Sequence, residues 1–149
     1  MAIRVRSTAF SEGARIPEKY SCDGQNVSPP LDWSGIPENT KSAALVVDDP
    51  DAPSGTFTHW IVYDLPPNTT KLAEGSSAAG KEGVNGFGKT GYGGPCPPPG
   101  KPHRYYFHIY ALDVASLGNA GLSRERFDAA IERHIVAEGQ VMGTYKRGK

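Results

Sequence analysis

The chain has 149 residues, and its 16 basic and 16 acidic side chains give a formal net charge of zero at pH 7. Without a net positive charge, we expect no sequence-independent affinity for nucleic acid or anionic membranes. No apolar run approaches the about 20 residues that a membrane-spanning helix needs, so stable membrane insertion is not expected. The first ten residues contain no apolar h-region, which predicts a cytoplasmic protein, although a chain whose secretion signal had been removed would look the same.

The composition favours turns and short strands over helices, because the chain contains 18 glycines and 13 prolines. A chain of this length fits one domain, residues 1–149, which buries roughly 68–70% of the surface of the unfolded chain. We therefore expect a mostly β protein made of one domain.

Two cysteines, Cys22 and Cys96, lie in the turn-like stretches SCDG and GPCP. They are too few for a disulfide scaffold, and they lack the spacing of a zinc site. We expect two reduced thiols, as in a cytosolic protein. If the two turns meet, the cysteines can pair instead, and the bond would then stabilise the fold by roughly 4 kcal/mol.

The strands are predicted from the spacing of the apolar residues. Residues 3–10 alternate apolar and basic side chains, as in a half-buried strand, and residues 43–47 form a short apolar run suited to a fully buried one. Residues 59–65 repeat that run with bulkier side chains, and residues 104–112 give the strongest strand pattern. In that last strand one face carries Tyr105, Phe107, Ile109 and Ala111, and the other carries Tyr106, His108, Tyr110 and Leu112.

A helix is predicted to start at Ser123, which is a suitable N-cap and is followed by Glu125 in the first turn. Apolar residues then recur at the spacing of a single buried stripe. The stripe consists of Phe127, Ala130, Ile131, His134 and Ile135. Gly139 and Gly143 argue for a final strand after the helix.

Residues 74–103 contain nine glycines and five prolines and leave almost nothing with which to build a helix or a strand. We expect an ordered loop packed on the body, because it also carries Phe87 and Tyr92 and is stiffened by its prolines. Residues 83–90, GVNGFGKT, match the spelling of a nucleotide-binding P-loop. The proline-rich segment that follows cannot form the helix which that mechanism needs, so we reject nucleotide binding here.

Polar residues gather in two proline-rich turns, each of which leads into an apolar strand. The first turn and its strand span residues 48–65, and the second pair spans residues 92–112. If the two strands lie side by side, the turns meet at one end, and buried carboxylates and imidazoles are natural partners there. The residues that would converge are Asp49, Asp51, His59 and His103. Taken alone, each aspartate could simply cap a turn.

This convergence predicts a small, preformed pocket for an anionic group. The imidazoles can donate hydrogen bonds and titrate near neutral pH. The glycine-rich backbone around Gly93 and Gly94 could add N–H donors in an anion-binding nest. The two carboxylates would repel a phosphate, unless they orient the imidazoles or pair with a cationic group on the same ligand.

The same motifs, DPDAPSG followed by HW and GYGGPCPPPGKPHRYYFHIYALD, closely resemble the two signature regions of the phosphatidylethanolamine-binding protein family. CDGQNVSPPLDWSGIP and AEGQVMGTYKR look like its bacterial and archaeal branch, the Raf kinase inhibitor-like proteins. The resemblance implies two antiparallel sheets in a Greek-key sandwich, with a small anion-binding cavity at one end. Carried over position by position, it implies a ligand site formed by Asp49, Asp51, Pro53, His59, Pro98, His103 and Tyr105.

Three classes of function remain open. The leading one is a non-catalytic binding protein for a phosphate or phosphoethanolamine-like headgroup, without a cofactor, which regulates or inhibits a partner such as a kinase or protease. Relatives in the bacterial branch are often homodimers. The second class is an enzyme that uses the Asp/His cluster as acid–base groups or metal ligands, with Cys96 beside His103 as a candidate nucleophile. The third is an interaction protein in which the cluster only shapes turns.

Overall fold

The protein is described by a computed structural model for residues 3–147. Within these residues eight strands form two antiparallel sheets, and the one α-helix, α1 (Arg124–Ile131), lies near the C-terminal end, with a short 3-10 helix at Glu18–Tyr20. The strands are β1 (Arg4–Arg6), β2 (Leu31–Ser34), β3 (Ser42–Asp49), β4 (Phe57–Leu65), β5 (Lys71–Leu72), β6 (Lys81–Glu82), β7 (His103–Leu112) and β8 (Ile135–Tyr145). One sheet has the order β1-β2-β5 and the other the order β6-β4-β3-β7-β8. The predicted two-sheet architecture is confirmed.

The larger sheet is built around β3, which is buried along its whole length. Its two faces bury different sets of side chains, because successive residues of a strand point to opposite sides. Ala43, Leu45 and Val47 face the smaller sheet across the main core, which also contains Trp33. On the opposite face, Ala44 and Val46 pack against Phe127 and Ile131 of α1. The continuous apolar run in the sequence is thus explained by burial on both sides.

The strand predicted over residues 104–112 is confirmed as β7, which pairs with β3 on one side and with β8 on the other. Its predicted inner face, which includes Tyr105 and Phe107, is buried throughout. The other face is half-buried as far as Tyr110, and Leu112 at its end is fully buried.

Helix α1 begins where the sequence predicts, since the Ser123 hydroxyl accepts a hydrogen bond from the Arg126 N–H at 3.2 Å. The predicted stripe is wrong at its end. The helix stops at Ile131, and Ile135 begins β8 with 38% of its surface exposed. Pairing with Leu112 of β7 overrides the helical spacing there. Within residues 3–147 no helix is long and apolar enough to cross a membrane.

The outer edge of β8 is covered by the N-terminal segment. The Ile3 N–H donates to the Glu138 carbonyl at 3.1 Å, and the Ile16 N–H donates to the Thr144 carbonyl at 2.7 Å. A Cβ at Gly139 would overlap the Ile3 carbonyl, so this close approach requires glycine. The strand predicted over residues 3–10 is shorter than expected, because β1 has only three residues, which pair with β2. Directly after it the Ser7 hydroxyl donates to the Pro30 carbonyl and accepts the Ala9 N–H, which turns the chain out of the strand.

The glycine- and proline-rich stretch is an ordered loop packed on the body, as predicted, although it also contains the two-residue strand β6. The side chain of Asn85 organises the turn that follows. Its carbonyl oxygen accepts the Phe87 and Lys89 N–H groups, and its amide donates to the Gly91 carbonyl. This turn occupies the P-loop-like segment, and no helix follows it before β7. The rejection of a nucleotide site agrees with this geometry.

Replacing Phe127 with alanine should lower the free energy of unfolding by about 3–5 kcal/mol, because the fully buried ring joins α1 to the outer face of β3. The matched control is Arg126→Ala on the exposed side of the same helix, where we expect a change within about 0.5 kcal/mol. Urea unfolding followed by circular dichroism measures both. Equal effects of the two substitutions would contradict the packing described here.

Candidate functional site

The two polar turns meet at one end of the larger sheet. Strand β3 pairs with both β4 and β7, so the turn that follows Asp49 and the loop that precedes His103 lie side by side. Between them is a cavity of about 190 Å³. The residues that line it are Asp49, Ala52, Pro53, Phe57, His59, Phe87, Cys96, Pro97, Pro98, His103 and Tyr105. Six of the seven predicted site residues are therefore brought together.

His59 reaches the cavity because of a β-bulge. Val47 of β3 pairs with Trp60 of β4, but the next β3 residue, Asp48, pairs with Thr58, which leaves His59 as the extra residue. Simple alternation would have placed His59 on the face opposite Trp60. The bulge turns it to the cavity side instead, a role that bulges commonly have near functional sites.

The ring of His59 is buried and held in one orientation. Its Nδ1 lies 2.6 Å from the Gly93 carbonyl oxygen, which can only accept, so Nδ1 carries the proton and donates. Tyr105 and Phe87 pack edge-on against the ring, with centroid distances of 5.2 and 5.7 Å. Burial lowers the pKa of His59, although the Gly93 carbonyl and the charge of Asp49 oppose that shift. The net shift favours the neutral ring.

Asp49, which is buried, and His103, which is half-buried, form a pair at the other side of the cavity. Nδ1 of His103 lies 2.6 Å from one carboxylate oxygen of Asp49. The other oxygen of Asp49 accepts the Asp51 N–H at 2.7 Å. Both oxygens of Asp49 therefore have a partner, and the carboxylate orients the His103 ring.

Tyr105 lies between the two imidazoles and is fully buried. Its hydroxyl has no hydrogen-bond partner within residues 3–147. Burial raises the pKa of Tyr105 above its usual range, and the nearby charge of Asp49 raises it further, although no Asp49 oxygen has good hydrogen-bond geometry to the hydroxyl. A neutral donor is thus kept inside the cavity wall, where an unsatisfied polar group is costly.

The prediction that Asp51 lies in the cavity wall is wrong. Its two oxygens accept hydrogen bonds from the Arg104 guanidinium at 2.8 and 2.9 Å, and one of them also accepts the Arg104 N–H. These bonds lower the pKa of Asp51 to about 2. Arg104 follows His103 in β7 and so points to the opposite face of the sheet. Asp51 therefore fastens the turn to the outside of β7.

The expectation of two reduced thiols is also wrong, because Cys22 and Cys96 form a disulfide with a Cα–Cα distance of 5.4 Å. The two turns meet through backbone contacts as well, since the Cys22 N–H donates to the Pro95 carbonyl. Cys96 is part of the cavity wall, so the disulfide ties that wall to the N-terminal half of the chain. In this form Cys96 is not a free nucleophile, which removes that candidate from the enzymatic hypothesis.

The expected backbone nest is absent from the described part of the loop. The Gly93 N–H donates to the His59 carbonyl, and the Gly94 N–H donates to the Asn26 side chain at 2.8 Å. Both donors are used inside the protein. The contribution of Gly93 to the site is instead its carbonyl, which selects the tautomer of His59.

Sequence reasoning missed the apolar part of the cavity wall. Phe57 and Phe87 pack edge to face at 4.8 Å, and Phe87 remains 48% exposed at the rim. The hydrogen bond from the Gly86 N–H to the Thr58 carbonyl brings Phe87 there, and a Cβ at Gly93 would strike its ring. Phe57 could have been predicted as a wall residue, because it starts the strand that carries His59. No signal in the sequence near Phe87 could have predicted its position.

A second polar cluster lies on the opposite face of the sheet, outside the cavity. Asp48 accepts hydrogen bonds from His108 at 3.0 Å and from Arg124 at 3.1 Å, and Arg124 also donates to Thr58. This cluster anchors the start of α1 to the strands. Within residues 3–147 no group of three or more His, Cys, Asp or Glu side chains is placed to hold a metal ion.

The fold and the site define a two-sheet β protein with a small cavity, lined by histidine, aspartate and tyrosine, at one end of its central strands. A family model described as phosphatidylethanolamine-binding protein matches residues 6–146. The chain belongs to that family.

Relatives of similar length include two UPF0098 proteins. One, from Methanothermobacter thermautotrophicus, is 45% identical over 98% of this chain and 100% of its own. The other, from Aquifex aeolicus, is 47% identical over 97% of this chain and 89% of its own.

Two solved structures are similar over nearly the whole chain. A phosphatidylethanolamine-binding protein homolog from Chlamydia trachomatis has a TM-score of 0.93 and 45% identity, and the match covers 99% of both chains. YbcL of E. coli, described as a new member of the mammalian family, has a TM-score of 0.92 and 32% identity. That match covers 99% of this chain and 100% of YbcL.

Replacing both cysteines with serine should lower the free energy of unfolding by about 4 kcal/mol, because the disulfide closes a loop across a sequence separation of 74 residues. Thermal unfolding of the variant and of the oxidised protein, measured side by side, gives the difference. Treating the oxidised protein with a dithiol reductant should reproduce the loss, whereas the double variant should not respond. Equal stabilities with and without the bond would contradict its structural role.

Proposed function

We propose that the protein is a non-catalytic binding protein for a small phosphate-containing anion, such as inorganic phosphate or a phosphoethanolamine-like headgroup. One observation carries the proposal. The Tyr105 hydroxyl is buried without a partner within the described residues, and Tyr105 is one of the residues that line the cavity, together with His59 and His103. A buried donor without a partner is costly in a folded protein, and a ligand oxygen would remove that cost.

The size of the cavity supports a small ligand. Its volume of about 190 Å³ lies below the roughly 300–1,000 Å³ typical of pockets for drug-sized molecules. It equals the liquid volume of roughly six water molecules at about 30 Å³ each, which suits a phosphate group with a short substituent. The Asp49 carboxylate at the wall favours a substituent that carries an ammonium group, in keeping with the phosphoethanolamine-like headgroup proposed.

A regulatory role is the second part of the proposal. The rim exposes Phe87, a large apolar side chain, beside the rigid wall formed by Pro97 and Pro98. Such a rim suits contact with a partner protein, and we propose a kinase or a protease as the class of partner. Self-association into a homodimer is the competing use of the same surface. Light scattering of the wild type and of Phe87→Ser separates the two.

The cytoplasmic location stays a prediction. It rested in part on reduced thiols, and the Cys22–Cys96 disulfide removes that support, because disulfides persist mainly in oxidising compartments. Fractionation of the producing cells, combined with thiol counting under denaturing, non-reducing conditions, tests the location and the oxidation state together.

His59→Ala should weaken binding of phosphoethanolamine by about 1.5–3 kcal/mol, the range for hydrogen bonds to charged groups. Isothermal titration calorimetry measures the affinity. His134→Ala is the matched control, because His134 also pairs with an aspartate, Asp113 at 2.7 Å, but lies on the surface outside the cavity. Unchanged affinity in His59→Ala would remove this residue from the site.

Tyr105→Phe should change stability and binding in opposite directions. Without ligand, removing the unpartnered hydroxyl should leave the free energy of unfolding unchanged or raise it by about 1 kcal/mol, while phosphate binding weakens by about 0.5–1.5 kcal/mol. Tyr63→Phe is the contrasting control, because the Tyr63 hydroxyl donates to the Asn119 carbonyl. Tyr63→Phe should lower the free energy of unfolding and leave the affinity for phosphate unchanged. A stability loss in Tyr105→Phe would mean that its hydroxyl serves the fold.

A further inference from the structure

The chemistry of the cavity depends on which nitrogen of His59 carries the proton. Nδ1 donates to a backbone carbonyl, so the neutral ring has its lone pair on Nε2. Nε2 makes no hydrogen bond to any residue between 3 and 147, and the ring is part of the cavity wall. A ligand next to this nitrogen therefore meets an acceptor, which an ionised oxygen cannot satisfy.

The charge of the surrounding groups leads to the same conclusion. Asp49 faces the cavity and pairs with His103. A positive charge on His103 would only cancel the negative charge of Asp49, so this pair supplies no net positive charge. Arg104 lies nearby, but it is paired with Asp51 outside the wall. An incoming anion thus finds a compensating charge only if another group takes up a proton.

The groups that face His59 favour a protonated ring once an anion is present. The negative charges of Asp49 and Asp48 on β3 raise the pKa of His59. From the loop, the Gly93 carbonyl also raises it, and the Gly94 carbonyl does so more weakly. From β7 the ring meets Tyr105, and His103 lies behind it. Burial is the influence that lowers the His59 pKa, and a bound anion would offset it.

We propose that the cavity captures its anion together with one proton, which lies between Nε2 of His59 and the ligand oxygen that faces it. This inference rests on the proposed function and names its ligand class: a phosphate monoester, whose dianion carries no proton of its own. The proton comes from the solvent. It either forms an N–H bond at Nε2 or converts the dianion to a monoanion whose new P–OH group donates to Nε2.

The test counts protons by calorimetry. Phosphoethanolamine, whose phosphate group is a dianion without a proton at about pH 8, and, separately, sulfate are titrated into the oxidised full chain at that pH, in two buffers with different heats of ionisation. The difference in binding heat gives the number of protons taken up, which we expect to be about one per anion. The affinity for phosphoethanolamine should then fall by up to about tenfold for each unit of pH above neutrality.

The two anions locate the proton. Sulfate has no proton to share in this pH range, so uptake with both anions places the proton on His59. Uptake with phosphoethanolamine, combined with weak or absent binding of sulfate, places it on the ligand oxygen. Either result supports the proposal. Binding of phosphoethanolamine without proton uptake overturns it and leaves the proposed function intact, whereas no binding of either anion between about pH 5.5 and pH 8 overturns both.

A variant assigns the effect to one residue. His59→Gln keeps a polar group that can donate without titrating, so proton uptake should fall from about one to near zero while binding persists. His134→Gln, at the exposed histidine–aspartate pair, should leave proton uptake and affinity unchanged. Full uptake in His59→Gln would assign the proton to another group and contradict the inference. The proton uptake measured on the wild-type protein tests the inference even if the variant does not fold.

Discussion

The antiparallel pairing of β3 with both β4 and β7 is the constraint on which the site depends. Because both partners run against β3, the turn after Asp49 and the loop before His103 must lie at the same end of the sheet. The distance between them along the chain is irrelevant once this register is set. Asp49 then meets His103, and the cavity forms where the polar turns leave the apolar core.

At this end of the sheet two histidine–aspartate pairs lie on opposite faces, because successive residues of a strand point to opposite sides. Asp49 points into the cavity with His103, whereas the preceding residue, Asp48, points to the outer face and meets His108. The outer pair fastens α1 through Arg124 and has a structural role. Two similar pairs thus have different surroundings, because one lies beside a cavity and the other beneath a helix.

Local patterns in the sequence were sufficient for much of the fold and for part of the site. Period-two alternation predicted β7 and the division of its side chains between two faces, and the capping serine predicted the start of α1, because both signals act within a few residues. The motif around Asp49 and the one around His103 predicted that acids and imidazoles converge. The prediction that the helical stripe extends to Ile135 was wrong, because the pairing of Ile135 with β7 overrode the local helical preference.

By itself, then, the sequence determined the mostly β architecture, the family and most of the polar residues of the cavity, since these depend on composition, periodicity and short motifs. The tertiary structure alone decided three features: the bulge that turns His59 inward, the pairing of Asp51 with Arg104, and the disulfide that closes the cavity wall. Each depends on contacts between residues far apart in the chain. Register, side-chain direction and tautomer become defined only when those segments pack together.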